Sequence, residues 1–120
     1  MQIQVLRTKI HRACVTGGSL DYEGSLTIDG ALMDRIGMVP YERILCGNMS
    51  NGNRFETYAI RGEPGRGEII LNGAVARLAQ PGDRLTIMSF TWIDEPTAKA
   101  GWTPSVVVVD EHNQVISERK

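Results

Sequence analysis

The chain has 120 residues, 42% of them apolar, which is enough for one compact core, so we expect a single domain over residues 1–120. Thirteen basic and fourteen acidic residues leave a net charge of -1 without a Lys/Arg cluster, which argues against nucleic acid as a partner. The longest aliphatic run, residues 106–109, is far too short to span a membrane, and Lys9 and Arg12 fall where a signal peptide needs apolar residues. We therefore expect a cytoplasmic protein that has no membrane partner.

The N-terminal third is predicted to contain two short strands and one helix. Residues 2–6 and 13–16 are predicted to be strands, and the apolar and polar residues between them alternate as in extended chain. Asp29 is expected to cap a short helix over residues 30–36, which Gly37 would end.

The middle of the chain is predicted to form a hairpin. A strand is expected near residues 42–47, and Asn51-Gly52 is typical of a type I′ turn. In the strand that follows, residues 54–60, Arg54 and Tyr58 are predicted to share one face.

The remaining segments favour strands over helices. In chain order we predict a loop at 62–67, a strand at 68–71, one helical turn within 74–79, a turn at 81–83, a strand at 84–90, a polar loop at 93–101, and strands at 105–110 and 114–117. Several short strands with few helices predict a mainly β fold, a small closed or nearly closed barrel.

Common cofactor motifs have little support. The glycine-rich loop at 62–67 lacks the Gly-Lys-Ser/Thr ending of a phosphate-binding loop and does not open a helix. Cys14 and Cys46 match no ligand spacing, so we expect free thiols. His11 and His112 also lack neighbouring ligands, and we predict no metal site. No motif pairs a Ser or Cys nucleophile with a particular His, so ordinary hydrolase chemistry is not indicated.

One combination of short motifs is specific. Gly24-Ser25 alone would be a turn dipeptide. With its surroundings, however, the chain resembles the aspartate 1-decarboxylase family from about residue 6 to about residue 110. The motifs that carry the resemblance are Lys9-Ile10-His11-Arg12, Tyr22-Glu23-Gly24-Ser25, Ile28-Asp29, Asn51-Gly52, Arg54, Thr57-Tyr58-Ala59-Ile60, Asn72-Gly73-Ala74 and Pro81-Gly82-Asp83.

The resemblance implies a fold, an assembly and a covalent cofactor. Members of the family fold as a double-psi β-barrel with a few short helices and assemble as homotetramers, in which a chain this small would share its active sites between subunits. They are made as inactive proenzymes that cut themselves. Here the cut would fall between Gly24 and Ser25, leaving a β-chain, residues 1–24, and an α-chain, residues 25–120, that begins with a pyruvoyl group made from Ser25. Whether cleavage is spontaneous or needs a maturation helper protein stays open.

The chemistry of the implied cleavage suits this dipeptide. The Ser25 hydroxyl can attack the Gly24 carbonyl through a five-membered ring and turn an amide into an ester. Elimination and hydrolysis then give the pyruvoyl group and ammonia. By resemblance, the Thr57 hydroxyl would stabilise the developing oxyanion, and His11 and Tyr22 are further candidates near the processing site.

In turnover, the resemblance implies that L-aspartate forms a Schiff base with the pyruvoyl group, loses carbon dioxide and leaves as β-alanine for pantothenate biosynthesis. Tyr58 would supply the proton at Cα. Arg54 and Lys9 would hold a substrate carboxylate. The other residues implied to contact the substrate are Thr57, Asn72, Gly73, Ala74 and Val75.

Two alternatives remain beside this interpretation. Barrels of this kind also serve as binding modules, which would leave the chain uncut. A pyruvoyl enzyme could also act on another amino acid, although the positive charge of Arg54 and Lys9 argues for an acidic substrate. Val75 and Arg77 depart from the family's Asn-Gly-Ala-Ala-Ala-His pattern, which leaves their contacts with the substrate open.

Overall fold

Nine strands and three short helical segments make up the fold in the computed structural model, which describes residues 1–119. The strands are β1 (Gln2–Cys14), β2 (Gly17–Ser19), β3 (Ser25–Asp29), β4 (Arg43–Asn48), β5 (Arg54–Gly62), β6 (Ile69–Asn72), β7 (Arg84–Asp94), β8 (Ser105–Val109) and β9 (Val115–Arg119). The helices are α1 (Gly30–Ile36), a 3₁₀ helix (Gly73–Arg77) and α2 (Glu95–Lys99). No helix among residues 1–119 has the length and apolar character needed to cross a membrane.

The strands form one mixed sheet that curls on itself. Their order is β2-β6-β3-β5-β4-β7-β1-β8-β9, and the β1–β8, β2–β6 and β3–β5 pairs are parallel. Just beyond β1, the N–H of Thr16 donates to the carbonyl of Ile69 on β6 at 2.8 Å, and the N–H of Ile69 donates to Thr16 Oγ1 at 3.0 Å. These bonds connect distant strands of the sheet. The predicted fold class, a mainly β barrel with a few short helices, is confirmed.

A row of buried side chains crosses four neighbouring strands and fixes which face is the core. The row runs from Ile10 on β1 to Ile87 on β7, then to Cys46 on β4 and Phe55 on β5, each paired with the next. All four are buried. Burial raises the pKa of the Cys46 thiol to about 12, so this group behaves as an apolar core side chain. Because side chains alternate along a strand, Lys9 beside Ile10 faces outward.

β1 is one long strand where the sequence predicted two. Its thirteen residues run through the basic segment without a break. The pairing with β7 shifts between Leu6 and Thr8 and again between Ile10 and Ala13, and Arg12 in the second shift has φ 68°. These irregularities explain the interrupted sequence pattern, since each bulge changes the face to which later side chains point.

The predicted type I′ turn at Asn51-Gly52 is wrong. Such a turn needs positive φ at both residues, and only Gly52 has it, at 80°. The connection is longer, because the N–H of Asn48 donates to the carbonyl of Asn53 at 2.8 Å. Within the loop, the N–H of Asn53 donates to Asn51 Oδ1 at 2.8 Å. This side-chain bond forms an Asx turn in place of a tight backbone turn.

The sequence did not predict β2, β3 or α2. β3 alternates polar and apolar residues, Ser-Leu-Thr-Ile-Asp, but it is only five residues long and lies directly between a turn-like Gly24-Ser25 dipeptide and the predicted helix cap at Asp29. α2 lies within the predicted polar loop at 93–101. It is a single short helix in which Pro96 occupies the first turn and Lys99 pairs with Glu95 at 3.0 Å.

The predicted cap of α1 is confirmed and has a second function. Asp29 Oδ1 accepts the N–H of Ala31 at 2.8 Å, and Gly37 ends the helix with φ 74°. The same carboxylate also accepts the N–H of Gly65 at 2.9 Å and that of Gly67 at 2.7 Å. One buried carboxylate thus ties the loop after β5 to the start of α1, at the far end of β3 from Ser25.

Replacing Asp29 by Ala is therefore expected to cost more than the loss of an ordinary helix cap. Three N–H groups lose their acceptor, and the expected fall in the free energy of unfolding is about 2–4 kcal/mol. Urea unfolding measures it. Asp94→Ala is the matched control, because Asp94 makes no cap bond to the α2 backbone and should stay within about 0.5 kcal/mol of the parent. Equal losses for the two variants would contradict the assigned role of Asp29.

Candidate active site

Ser25 is the first residue of β3 and is fully buried. It lies directly opposite Asn72, the last residue of β6. Asn72 Nδ2 donates to Ser25 Oγ at 3.1 Å and to Thr27 Oγ1 at 3.0 Å. Ser25 Oγ donates in turn to the carbonyl of Glu23 at 3.3 Å. The hydroxyl is therefore held against the backbone just before it, next to the peptide bond that the resemblance marks for cleavage.

The main chain of Gly73 packs against that dipeptide. Gly73 has φ 71°, and a Cβ built on it would lie 2.7 Å from Gly24 Cα and 3.0 Å from the carbonyl oxygen of Tyr22. No side chain other than hydrogen fits there. Gly24 itself is exposed and open on its own side, with nothing within 4 Å of a Cβ built on it. The Tyr22 ring is 63% exposed, so Tyr22 reaches this cluster through its backbone.

Thr57 and Tyr58 lie on the strand next to β3. Leu26 pairs with Ala59 at the start of this parallel ladder, and both are buried in the core. Tyr58 and Thr57 are the two residues before Ala59 on β5. Because side chains alternate along a strand, Tyr58 points to the face opposite to the core, as Ser25 does on β3, and Thr57 points to the core face.

Tyr41 packs on Tyr58, a contact that sequence reasoning missed. The two ring centroids are 6.1 Å apart and the ring planes are tilted by 34°. Tyr41 has φ 71°, and its N–H donates to the carbonyl of Ala59 at 2.7 Å. No spacing in the sequence points to this contact, because it depends on a left-handed turn between α1 and β4.

Lys9 and Arg54 lie on the outer face, on different strands. Lys9 on β1 pairs with Met88 on β7, and Arg54 on β5 pairs with Gly47 on β4. The Arg54 guanidinium lies across β4, since Nη1 is 3.5 Å from a Cβ built on Gly47, and Arg54 and Met88 line one pocket. Arg54 also precedes Tyr58 by four residues, about 13 Å along the strand.

The 3₁₀ helix follows Asn72 directly and carries Ala74 and Val75. Val75 packs against the core, whereas Ala74 is exposed. The carbonyl of Leu78, just after this helix, accepts three side-chain amides. The donors are Nδ2 of Asn48, Asn51 and Asn53, at 3.1, 3.3 and 3.2 Å. The loop between β4 and β5 thus fixes the end of the segment that begins at Gly73.

The family model for aspartate decarboxylase matches residues 1–116. The chain belongs to this family. It is 51% identical over 113 residues to an aspartate 1-decarboxylase of Chlorobium chlorochromatii strain CaD3, covering 94% of this chain and 87% of that relative. Two further relatives of the same name, from Burkholderia mallei strain SAVP1 and Burkholderia pseudomallei strain K96243, are each 51% identical over 119 residues, which is 99% of this chain and 93% of theirs.

Membership of the aspartate decarboxylase family confirms the resemblance seen in the sequence motifs. Within one chain, the structure gathers Gly24, Ser25, Asn72 and Gly73, and Thr57-Tyr58 precede the β5 residue that pairs with Leu26. Lys9, Arg54 and His11 lie elsewhere on the barrel. Two residues that the motifs did not single out join the cluster, Thr27 through Asn72 and Tyr41 through Tyr58.

His11 lies on β1, paired with Val108 of β8, and positively charged side chains surround it. Its Nδ1 is buried without a hydrogen-bond partner among residues 1–119. Burial, followed by the positive charges of Lys9, Arg12 and Arg84, lowers the pKa of His11 below its usual 6.5. The folded chain therefore favours the neutral imidazole.

This lowered pKa predicts a specific loss of stability in mild acid. As the pH falls below about 6.5, the unfolded chain protonates His11 before the folded chain does, so the free energy of unfolding decreases toward the lower folded pKa. His11→Gln should remove that part of the pH dependence. Urea midpoints at about pH 7.5 and about pH 5.5 test it, with His112→Gln at an exposed position as the control. An unchanged pH dependence in His11→Gln would contradict the prediction.

Proposed function

We propose that this chain is an aspartate 1-decarboxylase that converts L-aspartate to β-alanine and carbon dioxide with a pyruvoyl group made from its own Ser25. The observation that carries the proposal is the buried Ser25 hydroxyl, held between Asn72 and the carbonyl of Glu23 in a member of this family. The relatives named aspartate 1-decarboxylase support the substrate.

Maturation begins when Ser25 Oγ attacks the carbonyl carbon of Gly24. The new C–O bond replaces the C–N bond of the peptide, and the hydroxyl proton passes to the Ser25 nitrogen. The Asn72 N–H occupies one lone pair of Oγ and leaves another for the attack. Thr57, two residues before the β5 residue that pairs with Leu26, would donate its O–H to the oxyanion.

The ester then breaks by elimination. Loss of the α-proton of residue 25 expels the Gly24 carboxylate, which becomes the C-terminus of the β-chain, residues 1–24. Water then replaces the nitrogen of residue 25, ammonia leaves, and the α-chain, residues 25–120, begins with the pyruvoyl group.

The surroundings of Ser25 fit a pyruvoyl group. The group is small, uncharged and rich in acceptor oxygens, and position 25 is fully buried beside the amide donors of Asn72. The close approach of Gly73 keeps other side chains away from the dipeptide. When present, the group supplies a carbonyl that accepts electrons as the substrate carboxylate leaves.

The chain's own residues bind the substrate and move the proton. Tyr58 lies on the same face as position 25, one strand away, where its phenol can donate a proton to the substrate Cα. Tyr41 limits the motion of the Tyr58 ring. Asn72 and the backbone of Gly73 adjoin position 25, Ala74 is exposed, and Val75 packs against the core.

Lys9 and Arg54 would hold the second carboxylate of aspartate. We expect a neighbouring copy in a homotetramer to complete the site, as for a chain this small. We place the enzyme in the cytoplasm, where β-alanine serves pantothenate biosynthesis. A maturation helper would accelerate the cut without changing the residues that perform it.

Amino acid preference tests the proposed substrate. Fully cut protein is given aspartate, glutamate or serine at equal concentration, and carbon dioxide and the amine product are measured. We expect β-alanine from aspartate and kcat/KM at least about 100-fold lower for serine, which lacks the second carboxylate. Equal turnover of serine, or a preference for glutamate, would overturn aspartate as the substrate while leaving the cleavage chemistry intact.

A further inference from the structure

Thr27 shares the amide that holds the Ser25 hydroxyl. Ser25 and Thr27 alternate on β3 and so face the same side of the sheet. Asn72 lies opposite Ser25 and reaches diagonally to Thr27 as well. Its Nδ2 carries two hydrogens, and the two bonds, at 3.1 Å to Ser25 Oγ and 3.0 Å to Thr27 Oγ1, use both of them.

The position of Thr27 is itself well fixed. On β3 it pairs with Ile60 on one side and with Ile70 on the other. Its methyl group packs on the main chain of Gly62, since a Cβ built on Gly62 would come 3.0 Å from Thr27 Cγ2. A β-branched side chain with its methyl held in this way keeps one χ1 rotamer, which sets the direction of its hydroxyl.

Two bonds fix the Asn72 amide in a way that one cannot. With Ser25 as its single partner, the amide could turn about its terminal torsion, which is broad for Asn. The bond to Thr27 removes that freedom and fixes the plane of the amide. One N–H then stays on Ser25 Oγ.

We propose that Thr27 is a positioning residue for self-cleavage, acting through Asn72 on the Ser25 hydroxyl. This inference rests on the proposed function. In the step it assists, a bond forms between Ser25 Oγ and the Gly24 carbonyl carbon, the Gly24–Ser25 C–N bond breaks, and the hydroxyl proton goes to the nitrogen. Thr27 touches no reacting atom, so its whole effect passes through the amide plane of Asn72.

The test is the rate at which freshly made, uncut chain separates into residues 1–24 and 25–120, followed by denaturing mass spectrometry. Thr27→Val removes the hydroxyl and keeps the branched shape, and we expect cleavage about 5-fold to 20-fold slower. Thr27→Ser keeps the hydroxyl and should cut within about twofold of the parent rate. Thr91→Val, on β7 opposite Val5, is the matched control and should cut at the parent rate.

A double-mutant cycle separates positioning from a general structural effect. In an Asn72→Ala background the amide is gone, so Thr27→Val should cause no further slowing. If Thr27→Val does not fold, as judged by its thermal midpoint, Thr27→Ala against Thr27→Ser makes the same hydroxyl comparison with smaller side chains.

If the parent chain cuts, any one of three results would overturn this inference and leave the proposed function intact. These are a Thr27→Val chain that cuts as fast as the parent, a Thr27→Ser chain that cuts as slowly as Thr27→Val, or a Thr27→Val change that slows cleavage equally with and without the Asn72 side chain. A parent chain that never cuts, even in an extract of the source cells, overturns the proposed function and this inference with it.

Discussion

A chain carrying Ser25→Ala is expected to remain one polypeptide and to form no β-alanine. The variant lacks the only oxygen that the account allows to attack Gly24. It should still fold, because the change removes one atom from a buried site and one acceptor from Asn72, at a cost of about 1 kcal/mol. Mass spectrometry under denaturing conditions after prolonged warming measures cleavage, and release of β-alanine from aspartate measures turnover.

Ser105→Ala provides the control for the Ser25 variant. Ser105 is half-buried at the start of β8, as Ser25 begins β3, and its replacement should leave both cleavage and turnover unchanged. A Ser25→Ala chain that still separates after Gly24 would show that the peptide bond breaks without the Ser25 hydroxyl, and the proposed maturation chemistry would be wrong.

Tyr58→Phe is expected to cut normally and yet to lose turnover by about 100-fold or more. Only the phenolic oxygen is removed, so the ring keeps its packing on Tyr41 and β5 keeps its ladder. The loss should appear in kcat for aspartate, measured on protein whose pyruvoyl content is first established by mass.

Thr57→Val is the natural comparison for Tyr58→Phe. Thr57 is the proposed donor to the oxyanion of the acyl shift, so its replacement should block or strongly slow cleavage. The two variants thus test whether Thr57 acts in self-cleavage and Tyr58 acts in decarboxylation. A Tyr58→Phe enzyme with parent kcat, or one that fails to cut, would contradict the assignment of Tyr58 to proton transfer.

Much of the fold follows from local signals in the sequence. Asp29 and Gly37 mark the ends of α1 because capping chemistry depends on a few adjacent residues. The strand that carries Arg54 and Tyr58 alternates clearly, since β5 has one core face and one outer face at that point. By contrast, β3 is only five residues long, and Gly24-Ser25 at its start has the composition of a turn.

Only some residues of the candidate site could be predicted from the sequence. The motif around Gly24-Ser25 and the Thr57-Tyr58 pair are visible in the sequence because the family resemblance rests on them. Thr27 and Tyr41 are not, because their contacts depend on the register across strands and on a left-handed turn. Asn72 was assigned to the substrate alone, and only the pairing of β3 with β6 shows that it also holds Ser25.

The most direct test of the central claim is the mass of the purified chain under denaturing conditions, with peptide mapping across residue 25. We expect two fragments that separate after Gly24, the larger beginning with a pyruvoyl group, and β-alanine from aspartate. A single intact mass after prolonged warming, with no β-alanine formed even in an extract of the source cells, would contradict it and favour a barrel that binds without catalysis.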